Sequence, residues 1–165
     1  ARTHDLDRGH MQEMFRRAHE HPGASFVEVL QNCNVFNDGA FAAITKKDAR
    51  DDMLIELRHG EPILFGTDQQ YGVIGIDGAV AIAEVTEVGI DAVLVHDETR
   101  PDPSRSFALS RLAETPTTPT PIGVFRAVEQ EEYGTGIRAQ VDDVQAHEGQ
   151  GDLEELLRSL PTWEV

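Results

Sequence analysis

Ala24-Ser25-Phe26-Val27-Glu28-Val29-Leu30 is the stretch on which the reading of the fold turns. This short apolar run, rich in β-branched and aromatic residues, predicts a buried strand over Phe26–Leu30. Just upstream, Leu6, His10, Met14 and Ala18 recur at helical spacing, as do Met11 and Phe15, with Gln, Glu and Arg between them. That pattern predicts an amphipathic helix over residues 6–19. His21-Pro22-Gly23 stops it, because Pro lacks the N–H and Gly permits the reversal. Helix, tight turn and strand in that order predict the final unit of a parallel α/β sheet. Only about twenty residues precede the strand, so the rest of the sheet is expected elsewhere. A chain opening on Ala1 is likewise expected to lack an upstream stretch.

Downstream of Lys46 the pattern changes. Met53–Leu57 and Pro62–Phe65 flank the turn Arg58-His59-Gly60-Glu61, and Tyr71–Ile76 comes after another polar turn. Short apolar segments so spaced predict a small antiparallel sheet. Ala92–Val95 reads as a further strand ending in His96-Asp97. Residues 103–114 read as a helix opened by Asp102 or Pro103, with Phe107, Ala108 and Leu112 on one face. Thr115–Pro121 alternates Thr with Pro and reads as an extended connector. A strand over Ile122–Phe125 and helices near 131–147 and 152–160 complete the chain. Trp163 in the tail is expected to dock onto something.

Thirty acidic residues against fourteen basic ones give a formal net charge of −16, and the acid is spread along the whole chain. Dispersed acid excludes a nucleic-acid footprint, which needs clustered Lys or Arg. Only Lys46 and Lys47 are lysines. Together these features point to salt adaptation, in which concentrated ions screen carboxylate self-repulsion. No apolar run approaches the ~18 residues of a membrane helix, and the charged, His-bearing start is wrong for a secretory signal, so a soluble cytoplasmic protein is expected. Cys33 is the one cysteine, which excludes an intrachain disulfide and any metal or iron–sulfur site built from cysteines of this chain alone.

Cys33 lies three residues past Leu30, in the loop at the carboxyl end of the expected strand. Open α/β sheets bind ligands at that edge. A lone cysteine is more often a packing residue, and no His or Asn context marks this one as a nucleophile. The histidines carry bland readings. His4, His10, His19 and His21 are expected to face solvent, and His59 to make a structural hydrogen bond in its turn. His96 and Asp97, adjacent on a strand, point to opposite faces. Asp51-Asp52, Glu131-Glu132, Asp142-Asp143 and Glu154-Glu155 read as solvated faces, and Asp38-Gly39 and Asp77-Gly78 as plain turns.

The run Leu30–Phe41 (LQNCNVFNDGAF) resembles the segment that closes the thiamine-binding domain in β subunits of 2-oxoacid:ferredoxin oxidoreductases. RHGEPILFG (Arg58–Gly66), VLVHD (Val93–Asp97) and DPSRSFALSRL (Asp102–Leu112) resemble the carboxy-terminal extension of the same subunits. The four runs agree in order and spacing to about Arg126. The resemblance implies an α/β fold: residues 1–45 the carboxy-terminal end of a thiamine-diphosphate-binding parallel-sheet domain, 46–165 a small α+β extension. It also implies oxidative decarboxylation of a 2-oxoacid with coenzyme A and ferredoxin, and a partner α subunit that completes the substrate sites. Thiamine diphosphate with Mg2+ and a four-iron, four-sulfur cluster are the implied cofactors.

Carried over by position, Cys33 matches the fourth thiolate ligand of that cluster. The family usually has Pro directly after this cysteine, where this chain has Asn34, which leaves the path of the loop in doubt. The other cluster cysteines and the GDG-to-Asn diphosphate motif fall outside this sequence, so the chain is not expected to be catalytic alone. Within the family, the QNC-x-x-FNDG form points to 2-oxoglutarate or broad 2-oxoacid enzymes. A pyruvate-specific β subunit, or a non-catalytic assembly or regulatory domain, are the alternatives.

Overall fold

Arg2–His4 forms a strand, β1, that runs parallel to Glu28–Leu30, β2, with Arg2 opposite Glu28 and His4 opposite Leu30. Helix α1, Arg8–Glu20, connects them. The computed structural model describes residues 1–46, 49–113 and 118–159. Asp7 caps α1 by accepting the His10 N–H at 3.0 Å, and His21 leaves the helix in an extended conformation just before Pro22-Gly23. The helix therefore begins two residues later than its periodicity predicts. Leu6, part of that apolar stripe in the sequence, precedes the cap and is exposed, while Met14 is buried.

After the Cys33 loop come two single-turn helices, α2 (Ala42–Thr45) and α3 (Arg50–Met53). Next are β3 (Leu54–Leu57), β4 (Leu64–Phe65), β5 (Tyr71–Ile76), β6 (Ala79–Glu84) and the single turn α4 (Val85–Val88). Helix α5 (Ser104–Ser110) and strand β7 (Thr120–Gly123) come after it. A four-stranded sheet has the order β2-β1-β7-β3, with parallel pairs β1·β2 and β3·β7 and an antiparallel seam between β1 and β7. The βαβ unit thus finds neighbours β7 and β3 within this chain, and β2 forms one edge of the sheet they make. The fold class is α/β, in agreement with the sequence.

The smaller sheet is antiparallel, β4-β5-β6, and its membership departs from expectation. The spacing of apolar segments puts Met53–Leu57 in it, but β3 pairs with β7 in the larger sheet. Its place is taken by β6, which the turn Asp77-Gly78 folds back on β5 with both residues at positive φ. Such two-residue turns match the twist of a hairpin. Of the strand expected over Ala92–Val95, Ala92 instead closes a 3-10 turn over Ile90–Ala92, and only Val93 and Val95 make isolated bridges, with Ile74 and Pro62. The helix expected over 103–114 ends at Ser110 and tightens into a 3-10 turn over Arg111–Ala113. The connector expected over Thr115–Pro121 lies partly outside the described residues, and its last two residues, Thr120 and Pro121, belong to β7, so the strand expected over Ile122–Phe125 starts and ends two residues early; Trp163 lies outside the described residues.

The core joins the two sheets. Ile55 and Leu57 of β3, Ile63, Phe65 of β4, Val73 of β5, Leu109 of α5 and Phe125 form one buried cluster. Arg2 pins the larger sheet from its centre. It pairs with Glu28 at 2.6 Å, donates to the Pro121 and Ser110 carbonyls, and lies 5.2 Å over the Phe125 ring.

Ala1–His21 with Ser25–Glu129 forms one compact unit, and Pro22–Ala24 with Gln130–Val165 a second. The described helices of the second are α6 (Tyr133–Glu148) and α7 (Leu153–Arg158). Asp152 caps α7 by accepting the Glu154 and Glu155 N–H groups. Neither helix has a buried residue. No helix among the described residues is long and apolar enough to cross a membrane.

Candidate functional site

The Cys33 loop leaves the carboxyl end of the parallel pair β1·β2, where strand geometry delivers it. The Asp5 N–H donates to the Leu30 carbonyl at 3.2 Å, and the Asp5 carboxylate accepts from the Asn32 N–H at 3.4 Å. Asn32 in turn organises the loop. Its Nδ2 donates to Asn34 Oδ1 at 2.9 Å and to Asp38 Oδ1 at 3.1 Å, and its Oδ1 accepts the Gly39 N–H at 2.8 Å. Asn-rich loops close on themselves through such side-chain bonds. Asn34, which stands where the resembled family has Pro, is therefore tied by a hydrogen bond to Asn32 where a ring would otherwise stiffen the path.

The Asn37 N–H closes the turn on the Cys33 carbonyl at 2.8 Å. This curl points backbone N–H groups at the thiol. Donation from Phe36, then Val35, and lastly Asn37 holds the Cys33 pKa below its ordinary value, against a smaller opposing effect of desolvation. Amide dipoles favour the charged thiolate over the thiol, and the thiolate is the form that ligates metal. Cys33 is half-buried, while its neighbours Val35 and Phe36 are 79% and 91% exposed. The loop therefore presents a thiolate-favouring sulfur, followed by two exposed apolar side chains, at the carboxyl edge of the parallel pair.

The histidines divide. His59 Nδ1 accepts the Glu98 N–H at 3.3 Å, the structural bond expected of it. His96 is buried with Nε2 on the Val124 carbonyl at 2.7 Å, while Asp97 stays half-exposed, so the two face apart. His4, expected in solvent, is only 2% exposed, because Arg2–His4 is an inner strand of the larger sheet. Neither of its ring nitrogens has a partner among the described residues. Burial lowers the pKa of both His4 and His96 and keeps them neutral. His10, also expected in solvent, is half-buried with Nδ1 2.8 Å from Thr3 Oγ1.

The acidic pairs Asp51-Asp52, Glu131-Glu132, Asp142-Asp143 and Glu154-Glu155 are all exposed. Among the described residues, no three His, Cys, Asp or Glu side chains cluster closely enough to hold a metal ion. Cys33 fits a cluster as one donor of a set, and the amide nest around it suits the charge it would carry. Sequence reasoning singles out Cys33 but misses Asn32, whose signal is the run of Asn and Asp residues on both sides of the cysteine.

No protein-family model matches the chain, and no solved structure matches it. The chain is similar to the 2-oxoglutarate oxidoreductase subunit KorB of Mycobacterium tuberculosis, with 39% identity over 166 aligned positions. The alignment takes in 99% of this chain and 44% of that protein, so the chain spans less than half the length of its curated relative.

Proposed function

We propose that this chain is part of the β subunit of a 2-oxoacid oxidoreductase, acting on 2-oxoglutarate or a related 2-oxoacid with coenzyme A and ferredoxin, alongside an α subunit in the cytoplasm. The observation that carries the reading is the 39% identity to a 2-oxoglutarate oxidoreductase subunit along essentially the whole chain. The Cys33 loop supports it, because its geometry favours a ligating thiolate where the resemblance calls for one.

In this reading Cys33 supplies one thiolate to a four-iron, four-sulfur cluster whose remaining ligands lie outside the chain. When bound, thiamine diphosphate supplies the carbanion chemistry of decarboxylation and the cluster supplies one-electron transfer. The part of this chain is positional and electrostatic. Asn32 fixes the loop, and the N–H groups of residues 35–37 stabilise charge on the sulfur. Hydrogen bonds to sulfur and solvent exposure are levers on cluster potential.

The test is Cys33→Ala in the complete protein. Iron content and electron paramagnetic resonance are expected to show loss of the cluster or its conversion to a three-iron form. Release of carbon dioxide from the 2-oxoacid should survive for a turnover while ferredoxin reduction collapses. Cys33→Ser should retain more iron than Cys33→Ala. A full complement of four irons in the Ala variant overturns the assignment.

A further inference from the structure

Three arginines in a short span of this acidic chain stand apart from its carboxylates. Arg100, Arg105 and Arg126 make no ion pair within 4.0 Å among the described residues, whereas Arg2, Arg16, Arg17, Arg58 and Arg158 each hold a Glu. Against a formal charge of −16, guanidinium groups without a carboxylate need a reason. The nearest acids are already engaged. Asp97 Oδ1 accepts from the Thr99 N–H and hydroxyl, and Asp102 Oδ1 from those of Ser104. Both carboxylates feel the Arg100 charge without closing on it.

Arg100 and Arg105 line one pocket of about 210 Å3, together with Asp102, Ser104, the Gly78–Val80 start of β6, Gly75 and Leu94. Arg100 Nε is fully buried and has no hydrogen-bond partner among the described residues. A buried, charged donor left unpaired is costly, so such an atom calls for a ligand or water. The segment that carries it is held in place. Arg126 spends its fork on two backbone carbonyls, donating from Nε to Arg100 O at 3.2 Å and from a terminal nitrogen to Pro101 O at 2.8 Å.

We propose that the pocket between the β5–β6 turn and the start of α5 binds an oxyanion, the phosphate or carboxylate group of a small molecule, between Arg100 and Arg105. A guanidinium fork matches the paired oxygens of either group, and bonds to it are charge-assisted. Asp102 opposes the anion, but its occupied Oδ1 and the two arginines leave the lining positive. Gly75 and Gly78 keep side chains off the approach, Gly78 with nothing within 4 Å of where a Cβ would stand. This site is separate from the Cys33 loop and does not depend on the reading given to it.

The complete protein carrying this chain is titrated calorimetrically with inorganic phosphate and, separately, with acetate, at ionic strength held constant with potassium chloride. One equivalent of one of these anions is expected to bind, and their ranking tells phosphate from carboxylate. Arg105→Gln, at a partly exposed position, should weaken binding at least about tenfold, as should Arg100→Gln. Arg8→Gln, an exposed arginine elsewhere, corrects for net charge and should leave binding unchanged. Equal weakening by Arg8→Gln, full binding in both pocket variants, or no binding beyond that of chloride each overturns the proposal.

Discussion

Arg17 of α1 reaches across the sequence to Glu98 and holds both of its carboxylate oxygens, one from each terminal nitrogen. Glu98 is only 9% exposed, so its charge relies on that one guanidinium and on its surroundings. Arg16, one residue away, makes pairs of similar length with Glu13 and Glu20 on the exposed face. Arg17→Ala should cost about 1–3 kcal/mol, since it strands a largely desolvated carboxylate, while Arg16→Ala should cost clearly less. Urea unfolding of the two variants compares them directly; equal losses would mean that the Glu98 pair behaves as a surface contact.

Acid should destabilise the protein through His4 and His96. Burial lowers both pKa values, so between the ordinary value near 6.5 and the lower folded value the unfolded chain binds more protons. Their contribution to stability is complete above about pH 6.5 and is lost as pH falls through that window. His4→Leu removes one of these groups along with its two unpaired nitrogens. Denaturant midpoints measured from pH 7 to pH 5 should fall less steeply in the variant than in the parent, and an unchanged slope would clear His4 of any part.

Salt should stabilise the fold. Thirty carboxylates facing fourteen basic groups repel one another, and that repulsion is screened within roughly 10 Å at 0.1 M salt and 3 Å at 1 M. The melting temperature should climb steeply as potassium chloride rises from near zero to molar levels. A flat or falling curve would separate the composition from any salt adaptation.

Gly123 is where the backbone tolerates no side chain. It ends β7 at φ +107, and a Cβ there would stand 2.7 Å from the Leu57 carbonyl of the neighbouring strand. Gly123→Ala combines that clash with a strained φ and should cost at least about 2 kcal/mol. Gly78→Ala meets nothing within 4 Å and carries only the conformational penalty, about 1 kcal/mol. Thermal melts of the pair test the difference.

The sequence is legible where the chain writes its signals locally. The α1 periodicity with its Pro-Gly stop, the Cys33 loop and the start of α5 sit close to their expected places, whereas the buried strand expected over Phe26–Leu30 is confined to half-buried Glu28–Leu30, with Phe26 79% exposed. Strand β1 does not show itself, because Arg2-Thr3-His4 contains no apolar residue. Its strand character comes from pairing with Glu28–Leu30 and Gly123. Strand β6 alternates Ala with Val and Ile, and Ala, a weak strand former, hides the pattern, although Asp77-Gly78 is a hairpin signal. The partner of β3 is beyond reach for another reason, since Leu54–Leu57 pairs with residues far along the chain. The Arg100–Arg105 pocket shares that cause: its arginines are recognisable only by the carboxylates they lack.

The antiparallel seam closes late in synthesis. Strand β1 leaves the ribosome shortly before β2 and can pair with it early, but its other edge waits for Gly123 of β7. At roughly 5–20 residues per second, the intervening stretch of about 120 residues takes on the order of ten seconds. For that interval the nascent chain carries an open strand edge, the kind of surface that recruits other strands. Arg2 stands on that edge, and in the fold its charged group pairs with Glu28.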